Sequence, residues 1–401
     1  MRTVISQNLL NKVLTIPKTF FKIRMNTNQR FFMLSFFVPL TLFVSFLLTW
    51  RLWISTRLYP MTPVIVALKS PPFPVDYALF FGLLIFLMVA TSYRGKGQHT
   101  IFCICFCTIL TLGLFDQMRW QPYIYQYTFL LGALIFFVSP KSETSRLSAL
   151  HTCQIIVATT YFWSGVQKLN VSFMQKTVYW LFDPPIFSNY LFLVQYTWFL
   201  IPLFEIAIGA GLLFARTRKF ALMGALSMHL FILFDLGLLK HNLLYVVWIW
   251  NACFALFCFI LFCREQSSFH DIVIGNMNRY KGLVMALFMF APILGIFHII
   301  DSNLSAAFYS GNLMKATLFI DNSLVEIQSP EIRRHINSGF VDIYSWAYTD
   351  FGISLYSELR IFKSIAASFC EKRGDIQLSI LNKPYPWSTQ RSTSSFSCKD
   401  L

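Results

Sequence analysis

Long apolar runs are the feature that most limits what this chain can fold into. The 401 residues are 56% hydrophobic and only 13% charged, about half the charged fraction of an ordinary soluble protein. Runs of about 18 or more mostly apolar residues are typical of membrane-spanning helices. About nine such runs occur, at 31–50, 74–92, 100–115, 123–139, 148–165, 189–215, 220–239, 242–263 and 281–300. We therefore expect an all-α polytopic integral membrane protein of about nine transmembrane helices embedded in a lipid bilayer.

The chain after the last apolar run differs in composition and indicates a small mixed α+β tail. Apolar alternation in "KATLFIDNSLVEIQ" and "DIQLSILNK" predicts strands, and helical spacing in "YSELRIFKSIAASFCEK" predicts a helix. Only the last residues, "RSTSSFSCKDL", are expected to be loose. The predicted organisation is a basic N-terminal segment 1–30, a transmembrane helical domain 31–301 and a tail domain 302–401.

Basic residues are distributed unevenly between the connecting segments. The formal net charge is +15, but in a membrane protein the placement of Lys and Arg is more informative than their sum, because they favour cytoplasmic segments. With the N-terminus inside, 16 of them fall in cytoplasmic segments and seven in outer loops. We expect a cytoplasmic N-terminus, an extracytoplasmic tail and no nucleic-acid partner.

The nine cysteines show no metal-ligand spacing, and we expect no metal site. Seven lie in or at the ends of apolar runs, as small apolar helix residues do. Cys370 and Cys398 lie in the tail, which the charge distribution places in an oxidising compartment. A disulfide between them and two free thiols both remain open from the sequence.

Several polar residues lie inside the apolar runs at matching depth. The turn "RTRK" makes 189–215 and 220–239 a helical hairpin. It places Glu205 and His229 at similar depth and able to face each other, with Asn251 at the same level on the next run. These groups could hydrogen-bond only to hold the bundle together, or could line a polar pocket. Asp235 is expected on another face, solvated or paired with Lys240 at the membrane boundary.

The stretch "YFWSGVQKLN" ends the run 148–165 with a glycine and a lysine. Tyr161, Gly165 and Lys168 fall at i, i+4 and i+7, so they share one face if the helix continues. The absent side chain of Gly165 would leave room for a ligand. Lys168 could extend its ammonium group to the membrane surface, or act as a base if partly desolvated.

"YFWSGVQKLN" resembles the signature of the membrane region of vitamin K-dependent gamma-carboxylases and their bacterial relatives, the HTTM family. The hairpin "GAGLLFARTRKFALMGALSMHLFILFDLG" is similar to that family's too, and in looser form to DoxX-like membrane proteins. The resemblance implies that Lys168 is the catalytic base acting on a reduced quinone such as vitamin K hydroquinone. It also implies a cytoplasmic N-terminus, a site that opens on the far side of the membrane, a bacterial inner-membrane location and a match of His229 to a family histidine.

Two departures from the family pattern limit the expected chemistry. Tyr125, Gln126 and Tyr127 stand where gamma-carboxylases have Asn-Asn-His, and a tail of about 100 residues replaces the large luminal domain. Quinone chemistry is compatible with both changes, whereas carboxylation of protein glutamate is not favoured.

Two hypotheses of different classes follow. The first is a lysine-base enzyme acting on a reduced quinone or other lipid-soluble substrate. Its catalytic residue is Lys168, and its substrate pocket is lined by Tyr161, Gly165, Glu205, His229 and Asn251. The second is a non-catalytic, DoxX-like membrane subunit or scaffold that binds a protein partner through its tail. Transport is disfavoured because the sequence shows no internal repeat.

Overall fold

The computed structural model describes residues 24–68, 71–136, 142–183, 185–239, 244–370 and 376–401, which are mostly helical and end in a small sheet. The α-helices are α1 (Thr27–Leu48), α2 (Val75–Ser92), α3 (Gln98–Leu114), α4 (Pro122–Phe136), α5 (Glu143–Lys168), α6 (Val178–Leu181), α7 (Leu191–Thr197), α8 (Leu200–Leu213), α9 (Arg218–Phe234), α10 (Tyr245–Phe262), α11 (Phe269–Val273), α12 (Arg279–Val284), α13 (Asn322–Glu326), α14 (Pro330–Arg333), α15 (Ile343–Phe351) and α16 (Leu359–Cys370). Short 3-10 or π-helical segments are Trp50–Trp53, Gln117–Arg119, Phe173–Thr177, Pro185–Tyr190, Asp235–Leu239, Met285–Phe290, Ala291–Gly295 and Cys398–Asp400.

Four helices of the described chain are long and apolar enough to cross a membrane. They are Thr27–Leu48, Val75–Ser92, Arg218–Gly237 and Tyr245–Phe262. Each matches a predicted span, and the fourth ends within one residue of its predicted end. The coarse prediction, a mostly helical chain with membrane-spanning candidates and a small C-terminal sheet, is confirmed.

The structure does not establish the predicted count of nine spans. The run 189–215 is a bent pair, Ile186–Thr197 and Leu200–Leu213, with 70° between its halves, so it forms at most one broken crossing. The runs 100–115, 123–139 and 281–300 fall on helices shorter than 18 residues, and the end of the second lies outside the described residues. The run 148–165 lies in α5, which is long but carries many polar residues.

Helix α5 runs through the centre of the bundle formed by α1 to α12, which we call the membrane body. Ser142 begins it by accepting a hydrogen bond from the backbone N–H of Ser145, and nearly all residues from Ser148 to Lys168 are buried. It contacts α1, α4, α8, α10, α11 and α12. A helix surrounded by protein does not need an apolar lipid-facing surface, which explains how α5 tolerates serine, threonine and glutamine at membrane depth.

One end of the helix bundle is closed by two buried arginines and a glutamate, which we call the arginine cluster: Arg30, Arg218 and Glu265. Arg30 donates to three carbonyl oxygens at the end of α10, at 2.6 to 3.0 Å, and pairs with Glu265 at 3.3 Å. Arg218 donates to two carbonyl oxygens at the end of α8, at 2.8 and 2.9 Å. Both arginines therefore satisfy carbonyl groups that a helix end leaves without intrahelical partners.

The tail forms a five-stranded antiparallel sheet with the order β2-β3-β1-β4-β5. Its strands are β1 (Lys315–Ile320), β2 (Ile336–Asn337), β3 (Phe340–Val341), β4 (Ile376–Leu381) and β5 (Thr393–Phe396). Helix α16 packs on β1 and β4 with a buried apolar face and is joined by the Cys370–Cys398 disulfide to the residues after β5. The pairing that the sequence left open is therefore present.

Two predictions for the tail are corrected. The first predicted strand ends at Ile320, because Asp321 caps a new helix by accepting a hydrogen bond from the backbone N–H of Ser323. The segment 391–401 is not loose: it contains β5, which pairs with β4, and the bonded Cys398. Both features depend on contacts that lie outside the local sequence pattern.

The tail packs onto the end of the bundle opposite the arginine cluster. The ring of Tyr59 lies 4.6 Å from that of Trp346, centroid to centroid. The backbone N–H of Val171, just after α5, donates to the carbonyl of Pro386 in the β4–β5 connection at 2.9 Å. The residues that follow Lys168 are thus fixed by the tail.

Candidate functional site

A cavity of about 360 Å³ lies inside the membrane body at the end near the tail. Its walls are mainly aliphatic and aromatic, and the polar side chains that reach it come from α5, α8, α9 and α10 and from the π-helical segment after α9. The lining residues are Thr160, Tyr161, Ser164, Lys168, Trp180, Leu181, Phe182, Ile201, Phe204, Glu205, Ser227, Met228, His229, Phe231, Ile232, Asp235, Leu236, Trp250, Asn251, Phe254, Phe308 and Tyr309. This volume and this mixture of apolar walls with few polar groups are typical of small-molecule sites.

Lys168 and Glu205 form a buried ion pair on one wall of the cavity. The Lys168 Nζ atom lies 2.7 Å from Glu205 Oε2 and 2.6 Å from Ser164 Oγ. The lysine is 5% exposed and the glutamate 8%. The structure therefore does not bear out the alternative in which Lys168 extends its ammonium group to the membrane surface. Ser164, one helical turn before Lys168, is a site residue that the sequence analysis did not single out.

Gly165 lies beside the cavity rather than in its wall. A Cβ atom at this position would come within 2.5 Å of the Pro202 carbonyl oxygen and 2.8 Å of the Ile206 nitrogen. Gly209 makes the reciprocal approach, since a Cβ there would meet the Ala158 carbonyl oxygen at 2.6 Å. The expectation that Gly165 makes room for a ligand is therefore corrected: it makes room for α8, the helix that carries Glu205.

The other predicted pocket residues form a hydrogen-bonded chain across three helices. The Tyr161 hydroxyl lies 2.5 Å from His229 Nε2 and 3.1 Å from Cys258 Sγ. His229 Nδ1 lies 2.9 Å from Asn251 Oδ1, and Asn251 Nδ2 donates to the Val247 carbonyl at 2.8 Å. Tyr161, His229 and Asn251 are all buried.

The depth argument thus brought together residues that line one cavity, but it predicted the wrong partner for Glu205. Glu205 and His229 line the same cavity, but Glu205 pairs with Lys168 and His229 with Tyr161 and Asn251. Depth along a helix follows from counting residues, whereas the rotation that decides which neighbour a side chain meets does not.

Asp235 also lines the cavity, contrary to the expectation of a solvated position. It is 2% exposed and begins the π-helical segment Asp235–Leu239. Its position was derived on a regular helix, and π-helical turns shift the facing of the residues that follow. The expected pairing with Lys240 lies outside the described residues.

The rest of the "YFWSGVQKLN" stretch holds the cavity wall in place. Trp163 Nε1 and Gln167 Nε2 donate to the carbonyls of Met289 and Pro292, each at 3.0 Å. Asn170 donates to the Gln167 carbonyl at 2.7 Å and accepts from the Phe173 backbone N–H at 2.8 Å. These residues fix the last turn of α5, and with it the position of Lys168.

The site offers two kinds of chemistry in an apolar setting. The ammonium and carboxylate groups of Lys168 and Glu205 can bind or exchange a proton with an oxygen of a ligand, and the Tyr161–His229 pair can do the same at a second position. The ranges that the structure describes contain no group of three His, Cys, Asp or Glu side chains placed to hold a metal ion. No protein-family model, curated protein or solved structure matches this chain.

Proposed function

We propose that the chain is a membrane-embedded enzyme of the HTTM class that binds a reduced quinone or a similar lipid-soluble molecule and deprotonates it with Lys168. The observation that carries the proposal is the buried Lys168–Glu205 pair in the wall of an apolar cavity. Buried charges are costly in a membrane protein and mark functional sites by default. An apolar cavity also suits a ligand that arrives from lipid.

Glu205 stabilises the ammonium group that Lys168 forms when it accepts a proton in this environment. An isolated ammonium group inside an apolar cavity would be strongly unfavourable. With Glu205 Oε2 at 2.7 Å, a proton that moves from a ligand hydroxyl to neutral Nζ creates an ion pair instead of a lone cation. In the proposed step Lys168 Nζ begins without the extra proton, and Glu205 stabilises the ammonium group that forms.

The departures from the gamma-carboxylase pattern favour quinone chemistry alone. Gln126 accepts a hydrogen bond from Nε1 of Trp250 at 2.8 Å, and Trp250 lines the cavity. The position of the family histidine is Tyr127, whose phenol ring packs edge-on to Phe257 and replaces an ionisable imidazole.

The test is quinol consumption by the purified protein in liposomes, together with mass spectrometry of its bound lipid. We expect wild type to retain a quinone and to accelerate the conversion of added menaquinol to menaquinone in air. Lys168→Arg keeps the charge and can pair with Glu205, but arginine does not release its proton at neutral pH, so turnover should fall to the protein-free rate. Full turnover by Lys168→Arg would exclude the base role. If wild type carries no bound quinone and shows no turnover, the result favours the non-catalytic subunit that binds a protein partner.

For the topology we propose nine crossings, a cytoplasmic N-terminus and an extracytoplasmic tail in a bacterial inner membrane. The Cys370–Cys398 disulfide supports this orientation, because disulfides persist in oxidising compartments. In intact cells a membrane-impermeant thiol reagent should label Thr389→Cys in the tail and spare Gln266→Cys after α10. Both positions are exposed in the structure. The opposite labelling pattern would invert the topology.

A further inference from the structure

The hydrogen-bond chain Tyr161–His229–Asn251 has a direction that follows from chemistry alone. A backbone carbonyl can only accept, so the Asn251 amide nitrogen must face the Val247 carbonyl, as observed at 2.8 Å. Its Oδ1 atom therefore faces His229 Nδ1 at 2.9 Å, and that ring nitrogen must carry a hydrogen. In a neutral imidazole the other nitrogen, Nε2, is then an acceptor.

Tyr161 consequently donates its hydroxyl hydrogen to His229 Nε2 at 2.5 Å. The phenol oxygen keeps its acceptor capacity, which the Cys258 thiol occupies weakly at 3.1 Å. A proton carrier, a base within hydrogen-bond distance and a third group that orients the base form the arrangement that activates a hydroxyl group. All three side chains line the cavity.

This second unit lies at a different level of the cavity from the ion pair. The backbone positions of Tyr161 and Lys168 are seven residues apart on α5, about 10 Å along the helix axis, and the Lys168 ammonium group reaches back to Ser164, three residues after Tyr161. Both reach the same cavity. A ring-sized molecule lying along α5 can therefore contact Lys168 with one end and Tyr161 with the other.

We propose that Tyr161, His229 and Asn251 form a second proton-transfer unit, and that the site takes a flat molecule with a proton-exchanging oxygen at each end. This deepens the proposed function and rests on it. In the step at this unit, a ligand O–H proton moves to the Tyr161 oxygen while the Tyr161 proton moves to His229 Nε2. The products are a ligand oxyanion and an imidazolium that Asn251 Oδ1 stabilises, so atoms and charge balance. Tyr161 is the catalytic residue, and His229 and Asn251 are positioning residues.

The binding test uses menadiol, its two monomethyl ethers and its dimethyl ether as probes. Tyr161→Phe should weaken menadiol binding about fivefold to tenfold, the value of one hydrogen bond. It should also weaken one monomethyl ether and leave the other and the dimethyl ether unchanged. The complementary ether should respond to the double change Lys168→Met and Glu205→Leu. The matched control is Tyr127→Phe, since Tyr127 is a buried tyrosine packed edge-on to Phe257 and not part of the cavity wall.

Equal weakening of all four probes by Tyr161→Phe, or none, would overturn the second unit while leaving Lys168 untouched. Failure of wild type to bind any probe would instead contradict the proposed function. A ligand-free measurement separates the two: nitrogen-15 NMR of labelled histidine should show His229 protonated at Nδ1, assigned by its absence in His229→Gln. Asn251→Leu should convert it to the Nε2–H form, and an Nε2–H tautomer in wild type would refute the chain as described.

Discussion

The arginine cluster and the Lys168–Glu205 pair place buried charges at opposite ends of the helix bundle, and they differ in what their side chains face. Arg218 donates to two carbonyl oxygens at the C-terminal end of α8, at 2.8 and 2.9 Å, and to the Glu265 and Ser267 carbonyls, at 2.9 and 3.0 Å. Glu205, in the second turn of the same helix, pairs with Lys168 at the wall of a cavity. Buried charges with every donor satisfied by backbone hold a fold together, whereas those that border a cavity can still meet a ligand.

The largest effect should come from removing one arginine of the cluster. Arg218→Met removes the donor to four carbonyl oxygens, in two buried and two part-buried hydrogen bonds, and leaves Glu265 with one less neighbouring cation. We expect a loss of about 3–5 kcal/mol in unfolding free energy, measured by denaturant titration in micelles. A loss below about 1 kcal/mol would show that the cluster is not the structural element that its geometry indicates.

The cavity pair should respond differently to single and double replacement. Lys168→Met alone leaves the Glu205 carboxylate buried without its partner, at a cost of about 3 kcal/mol. Adding Glu205→Leu removes both charges, and the unfolding free energy should return to within about 1 kcal/mol of wild type. No recovery in the double variant would mean that the pair is needed for folding, and the contrast with the arginine cluster would disappear.

The sequence predicted the depth of the cavity residues but not which side chains pair. Depth counting brought Glu205, His229 and Asn251 near one level, and all three line the cavity. Their partners depend on helix rotation and on how closely α5 and α8 approach, which Gly165 and Gly209 permit. Helix rotation and helix spacing leave no periodic pattern in the sequence. The predicted pairing of Glu205 with His229 was therefore wrong.

The fold shows the same limit. The helices α1, α2 and α10 are evident from composition, because a helix that can cross a membrane needs a long apolar run. Helix α5 is central and polar, and the run 189–215 breaks by 70°, so neither fits a count of apolar spans. In the tail, β5 contains serine and threonine and forms only because β4 lies beside it.

A smaller effect should follow from changing the close contact between α5 and α8. In Gly165→Ala the new methyl group meets the Pro202 carbonyl and the Ile206 backbone, which cannot rotate away as side chains can. We expect a loss of about 1–3 kcal/mol in unfolding free energy and a displaced Glu205, detected as weaker menadiol binding. The control is Gly82→Ala in α2, where the added Cβ atom meets nothing within 4 Å beyond its own helix backbone. It should stabilise by about 0.5–1 kcal/mol, and equal effects at both positions would refute the contact.

The smallest effects should appear in the dependence of stability on pH. Two glutamates outside the apolar spans have pKa values that shift in opposite directions. Burial raises the pKa of Glu358, because it outweighs the hydrogen bond from the Ser302 backbone N–H. Burial also acts to raise the pKa of Glu265, but hydrogen bonds from Ser267 and Gln266 and the charge of Arg30 more than offset it, so this pKa is lowered. A carboxyl group with donors from two residues and a cation beside it thus behaves oppositely to one whose donors come from Ser302 alone and which lies near the Asp301 carboxylate.

The signs follow from which state binds the proton more tightly. Stability from Glu265 is present above its unfolded pKa and is lost as pH falls through the lowered folded pKa. For Glu358 the folded state holds the proton more tightly, so stability is highest at low pH and falls as pH rises from the unfolded pKa through the raised folded one. Glu265→Gln should therefore remove part of the acid-side loss, and Glu358→Gln should remove part of the decline above the unfolded pKa, both measured as unfolding free energy between pH 3 and pH 8. If the two variants change the pH profile in the same direction, the number of donors does not decide how these buried carboxyl groups behave.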